Sequence, residues 1–161
     1  MQLVVLGLNH RSAAVEVRER FSFEKNEVES ALNRLYEYEK ISECVILSTC
    51  NRTEIYAVLE DVQSPKAYML DVLKHLKHAD TIDESAFFFY EEKACIEHLF
   101  RVSASLDSLV LGEGQILSQL KGAYIAAYSA GFTGTVFNIL FQRAISVGKK
   151  VRTNTGIANT P

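Results

Sequence analysis

The stretch Cys44-Val45-Ile46-Leu47-Ser48-Thr49-Cys50-Asn51-Arg52-Thr53-Glu54-Ile55-Tyr56-Ala57-Val58-Leu59 decides the architecture. Residues 44–49 are rich in strand formers, residues 50–53 are a polar break, and residues 55–59 are a second apolar run of strand length. The two runs therefore read as a hairpin. Upstream, residues 3–8 are a short apolar run that reads as a first strand. Between it and the hairpin, residues 24–40 carry Val28, Leu32, Leu35 and Tyr36 at helical spacing, with Glu and Lys filling the other face. Downstream, Ser64 and Pro65 supply an N-cap and a first-turn proline for a helix reaching about residue 78. Residues 86–90, with three consecutive phenylalanines, read as a fourth strand.

The resulting order, β-α-β-β-α-β, predicts an α+β fold with a ferredoxin-like sandwich. From residue 91 onward the pattern becomes helical, with segments at 91–102, 115–130 and 135–152. Seven of the eight glycines fall between Gly112 and Gly156, as expected of helices joined by glycine-marked turns. The expected organisation is a unit over 1–152, made of a ferredoxin-like core at 1–90 and C-terminal helices at 91–152. Residues 153–161 have no apolar period and read as a tail.

Length and composition narrow the classes. The 161 residues, 48% hydrophobic and 23% charged, suit one folded domain and exclude bulk disorder. No apolar run approaches the roughly 20 residues of a membrane span, and the start, Met1-Gln2-Leu3-Val4-Val5-Leu6-Gly7, does not resemble a signal peptide. Three cysteines are an odd number without framework spacing, which predicts free thiols in a reducing cytoplasm. With 17 Lys+Arg against 20 Asp+Glu, the net charge of -3 does not suit a module that grips nucleic acid by neutralising phosphates. RNA contact must then be local or shared.

The segment with most chemistry is Ser48-Thr49-Cys50-Asn51-Arg52-Thr53-Glu54. Cys50 falls where a strand gives way to a turn, so its sulfur can be exposed. A cation two residues away, Arg52, favours the thiolate or holds a substrate carboxylate bidentately. A small buried cysteine beside a surface arginine fits the same residues. Cys44 and Cys95 read as core fillers, and without a CxxC pair zinc and redox sites are not expected. His98 is a candidate acid or base, or a hydrogen-bonded structural histidine. His75 and His78 read as a solvated helix face, and His10 follows the first strand at a loop. Gly112-Glu113-Gly114-Gln115-Ile116-Leu117 has Leu117 where a dinucleotide fingerprint needs glycine, so it is not a phosphate site. What remains there is a polar loop of Ser108, Glu113, Gln115 and Gln119 at a helix start, suited to a carboxylate or ester or to ordinary capping.

Five segments, in order, resemble the N-terminal catalytic domain of glutamyl-tRNA reductases: Gly7-Leu8-Asn9-His10-Arg11-Ser12-Ala13, Ser48 through Glu54, His98-Leu99-Phe100-Arg101-Val102, Leu106-Asp107-Ser108-Leu109-Val110-Leu111-Gly112-Glu113, and Gln115-Ile116-Leu117. The resemblance spans essentially the whole chain. It implies that Cys50 attacks the ester joining glutamate to the tRNA 3′ end. A thioester forms, and hydride from NADPH then releases glutamate-1-semialdehyde, the first step of C5-pathway tetrapyrrole synthesis. It also implies substrate binding by Thr49, Cys50, Asn51, Arg52, Ser108, Glu113, Gly114, Gln115 and Gln119, a catalytic part for His98, and no metal. NADPH would be bound by a domain beyond this chain. Glutamyl-tRNA is the implied partner, with a homodimeric longer protein, a monomeric fragment and channelling to glutamate-1-semialdehyde aminomutase. Two positions depart from the family pattern: Ser105 stands where glycine is common, and Gly114 where threonine is common.

Two other readings compete. A non-catalytic ferredoxin-like module would bind RNA or a protein, but RNA-recognition motifs stack bases on aromatics of two central strands. Residues 3–8 contain none, and residues 55–59 only Tyr56. A thiol hydrolase of small esters would act without tRNA.

Overall fold

Buried along nearly its whole length, Gln2–Asn9 forms β1, around which the sheet is assembled. The computed structural model describes residues 1–106 and 115–155, the side chains of 154 and 155 aside. The hairpin is present as β2 (Ile41–Ser48) and β3 (Arg52–Leu59), with Ile46 opposite Ile55 and Ser48 opposite Thr53. β1 pairs antiparallel with β3, placing Gly7 opposite Glu54, and with β4 (Phe88–Glu91), placing Gly7 opposite Phe88. The order β2-β3-β1-β4, antiparallel throughout, is the expected ferredoxin-like arrangement.

All eight residues of β3 are buried, which requires cover on both faces because side chains alternate across a sheet. Helices α1 (Val15–Phe21) and α3 (Pro65–Leu76) pack on β3 and β1, and α2 (Lys25–Arg34) lies between them in sequence. The other face is covered by α4 (Glu92–Ser103) and α6 (Thr135–Thr155), while α5 (Gln115–Ser129) lies against β2. Tyr56 of β3 meets Phe141 of α6 edge-on, with ring centroids 5.4 Å apart. The chain thus carries a ferredoxin-like sheet followed by C-terminal helices.

The differences from expectation have local causes. Helix α1 was not anticipated: Val15-Glu16-Val17 alternates with period two, only Phe21 of the helix is buried, and Ala14 supplies no side-chain cap. The helix expected at 24–40 ends at Arg34. A 3₁₀ turn over Leu35–Glu37 then breaks the 3.6-residue stripe, so Leu35 is buried and Tyr36 faces outward. Ser64 occupies the N-cap of α3 without a side-chain cap bond. The fourth strand starts at Phe88 because Asp83 accepts the Ser85 N–H at 3.0 Å and holds Glu84–Ala86 in a 3₁₀ turn. Residues 153–155, read as tail, continue α6. Residues 156–161 lie outside the described residues.

The connection from α5 to α6 is stitched to the outer edge of β2. The buried Glu43 carboxylate accepts N–H bonds from Gly134 at 2.6 Å, Phe137 at 2.8 Å and Val136 at 3.3 Å. It caps the first turn of α6 from a distant strand, where a negative charge meets unsatisfied donors and the positive helix end. Beside it, the Cys44 N–H donates to Phe132 O at 2.9 Å. Helix α6 also approaches the end of α4 closely: a Cβ on Gly148 would stand 2.5 Å from Ser103 O.

Candidate active site

The β2–β3 turn is closed by its own residues. Thr49 N–H donates to Arg52 O at 2.8 Å, and Thr49 Oγ1 accepts from the N–H groups of Asn51 and Arg52, each at 3.2 Å. With the turn satisfied internally, Cys50 sits exposed at its tip. Cys44 and Cys95 are buried, as expected of core fillers. Burial pushes the Cys44 thiol up to about 12. Burial, followed by the Glu54 and Glu92 charges, pushes Cys95 up as well. Of the three thiols, only Cys50 is placed to react.

A cleft of about 430 Å³ opens beside Cys50. Its walls include Arg18 and Glu19 of α1, Ser48 and Thr49 of the hairpin, and Gln119 of α5. Ser48 Oγ accepts the Phe23 N–H at 2.8 Å, which ties the chain between α1 and α2 to the hairpin and fixes one wall. Thr49, Cys50 and Gln119, three of the residues singled out in the sequence, therefore share one cleft. Arg18 was missed because α1 itself was missed.

Arg52, read from the sequence as a cation for the thiolate or a substrate carboxylate, is engaged by a buried carboxylate. Its side chain is 1% exposed, and Nη1 donates to Glu54 Oε2 at 2.9 Å. Glu54 Oε1 accepts the Tyr56 hydroxyl at 2.6 Å, and Oε2 also meets His98 Nε2 at 2.7 Å. Residues 52, 54 and 56 alternate along β3, so all three share the face turned toward α4. Burial raises the Glu54 carboxyl, but the His98 bond and the His98 and Arg52 charges outweigh it and hold Glu54 below the ordinary carboxylate range. Because an ionised Glu54 can only accept, Nε2 is the protonated nitrogen of His98. Phe88 and Tyr90 flank the His98 ring, with centroids 4.9 and 5.2 Å away. Gly7 makes room for this group: a Cβ there would meet Phe88 Cζ at 2.6 Å, Thr53 O at 2.9 Å and Glu54 Cγ at 3.0 Å.

Asn51 is half-buried in the turn, and Gln115 is exposed at the first position of α5. Ser108, Glu113 and Gly114 lie outside the described residues. Ser105, buried after α4, has φ +64°, the left-handed conformation in which a glycine carries no Cβ penalty. His10 lies in the turn after β1, where Asn9 Oδ1 accepts the Arg11 and Ser12 N–H groups at 2.9 and 3.2 Å. His75 and His78 are exposed at the end of α3, and the Tyr38 hydroxyl bonds His75 Nδ1. Among the described residues there is no group of three or more His, Cys, Asp or Glu able to hold a metal ion.

Residues 6–155 match the family model described as "Glutamyl-tRNAGlu reductase, N-terminal domain". The chain belongs to that family. The glutamyl-tRNA reductase of Pelotomaculum thermopropionicum is 48% identical over 98% of this chain and 36% of its own length. That of Carboxydothermus hydrogenoformans is 44% identical over 100% of this chain and 36% of its own length. The solved glutamyl-tRNA reductase from Methanopyrus kandleri superposes with a TM-score of 0.76 at 34% identity, covering 94% of this chain and 34% of that one. The chain thus spans about a third of the length of these glutamyl-tRNA reductases.

The described strands do not form the parallel, doubly wound fold that commonly holds NADPH, the cofactor implied by the resemblance. A dinucleotide fold needs parallel strands whose ends frame a glycine-rich turn, and every described strand pair here is antiparallel. No described helix is long and apolar enough to cross a membrane.

Proposed function

We propose that this chain carries the acyl-transfer half of glutamyl-tRNA reduction. The observation that supports it best is Cys50 exposed at the tip of a self-closed turn, in a cleft shared with Thr49 and Gln119, in a chain of this family. The Cys50 thiolate attacks the ester carbonyl of glutamyl-tRNA, the Sγ–C bond forms, and the C–O bond to the terminal ribose breaks. The ribose oxygen leaves with a proton, giving a Cys50 thioester and free tRNA. The proposed binding set is Thr49, Asn51, Arg52, Ser108, Glu113, Gly114, Gln115 and Gln119. Arg52 reaches a substrate carboxylate only in competition with Glu54, its partner in the buried group.

His98 is the proposed proton carrier or ester-orienting group. With Nε2–H directed at Glu54, its Nδ1 is left as the basic nitrogen. NADPH, held by a part of the longer relatives beyond this chain, would supply the hydride that reduces such a thioester to glutamate-1-semialdehyde; no residue of this chain is proposed to hold it. Homodimerisation, delivery of the semialdehyde to an aminomutase and a cytoplasmic setting belong to the same proposal, at the level of the longer relatives. The expected organisation, a catalytic unit over 1–152 with a core at 1–90, is part of this reading.

Incubating the chain with glutamyl-tRNA and weighing it intact tests the proposal. One glutamyl adduct is expected on the unmodified chain and none on Cys50→Ser, with no oxidation of added NADPH. An adduct that survives Cys50→Ser overturns it. Equal acylation from small esters without tRNA would point to a simple thiol hydrolase.

A further inference from the structure

Arg18 lines the same cleft as the Cys50 thiol, and its guanidinium has no hydrogen-bond or ion-pair partner among the described residues. Its Nε and Nη1 are closed off from solvent, and neither makes a hydrogen bond. Glu19, the acidic residue that lines the cleft with it, does not pair with it. Burying guanidinium donors without an acceptor is costly, because the group stays charged at any ordinary pH. Arg52, the other cation near the thiol in sequence, is committed to Glu54. Arg18 is therefore the positive charge lining the cleft into which Cys50 opens. A long side chain on a two-turn helix can turn into that space, where an entering oxyanion would take up its donors in the fork geometry that suits carboxylate and phosphate alike.

We infer that Arg18 is an oxyanion-binding residue of the Cys50 cleft. Its ligand is an oxyanion of the acyl donor: the free side-chain carboxylate of the glutamyl group, or the phosphodiester next to the terminal adenosine. The choice of donor rests on the proposed acyl transfer, whereas the presence of an anion site beside Cys50 does not.

The test separates the two. Cys50 is alkylated with iodoacetate and with iodoacetamide, reagents with the same leaving group, one anionic and one neutral. In Arg18→Gln and Arg18→Met the iodoacetate-to-iodoacetamide rate ratio should fall about fivefold, while Arg18→Lys keeps most of it. Lys66→Gln, which removes an exposed charge on α3, should leave the ratio unchanged. Circular dichroism checks that the variants are folded. The two neutral variants differ in polarity, so failure of one to fold leaves the other to decide.

Acylation then identifies the source. Slower acylation of Arg18→Gln by a small glutamyl thioester, but not by its glutaminyl counterpart, assigns the carboxylate. Unchanged reaction with both small donors and slower reaction with glutamyl-tRNA assigns the phosphodiester. A ratio in folded Arg18→Gln or Arg18→Met equal to that of the unmodified chain overturns the inference. If no donor acylates the unmodified chain, the proposed function fails, and the alkylation ratio still decides whether Arg18 binds anions.

Discussion

At the scale of single residues, Glu54 carries the most electrostatic weight. One carboxylate accepts from Arg52 and Tyr56 and engages His98, all of them buried. Removing the charge from one partner of such a group leaves the other uncompensated, so Glu54→Gln should cost about 3 kcal/mol near pH 7. The pH dependence follows from the direction of the shift. A carboxyl held below its unfolded value contributes stability that is fully present above that value, near about 4.3, and lost as pH falls through the lower folded value. Urea denaturation at pH 7 and near pH 3 should therefore show a large gap between the native chain and Glu54→Gln that narrows in acid. A gap of constant size would show that the carboxylate charge is not what holds the group together. Part of this group was legible: once a strand begins at residue 52, Arg-Thr-Glu-Ile-Tyr places positions 52, 54 and 56 on one face. With the strand read as starting three residues later, Arg52 falls in the polar break beside the thiol, and its place in the buried group is hidden.

Among the elements, α6 depends on a residue far from it in sequence. Its first turn has Glu43 as acceptor for three N–H groups in place of a local Ser, Thr, Asp or Asn cap. Glu43→Ala should lower stability by about 2 kcal/mol, through orphaned donors and the loss of a negative charge at a helix start. Chemical denaturation measures it, and a change below a few tenths of a kcal/mol would show that water replaces the carboxylate at no cost. The strands and the longer helices could be read because each carries its own apolar run or stripe. Helix α1 could not, since Phe21 is its one buried residue and its first turn alternates like a strand. The Glu43 cap could not either, because it joins positions more than 90 residues apart. With α1 hidden, one wall of the Cys50 cleft was hidden too.

For the whole molecule, the ferredoxin-like sheet and the C-terminal helices are parts of one structure. The face of β3 that bears Glu54 and Tyr56 is closed by α4 and α6, and His98 of α4 belongs to the buried group. A chain cut after Glu91 would expose an apolar face with a buried ion pair opened to water. It should show no cooperative unfolding transition, whereas residues 1–161 should unfold in a single transition by both circular dichroism and tyrosine fluorescence. A stable, cooperative 1–91 fragment would mark the sheet as an independent domain. The bond from Cys44 N–H to Phe132 O bears on a further property. An edge strand with free amides is a template onto which another chain can add a strand, the first step toward fibrous aggregates. By occupying part of the outer rim of β2, the longer of the two edge strands, with the segment between α5 and α6, the fold covers part of that template and leaves self-association in a crowded solution to depend more on other surfaces.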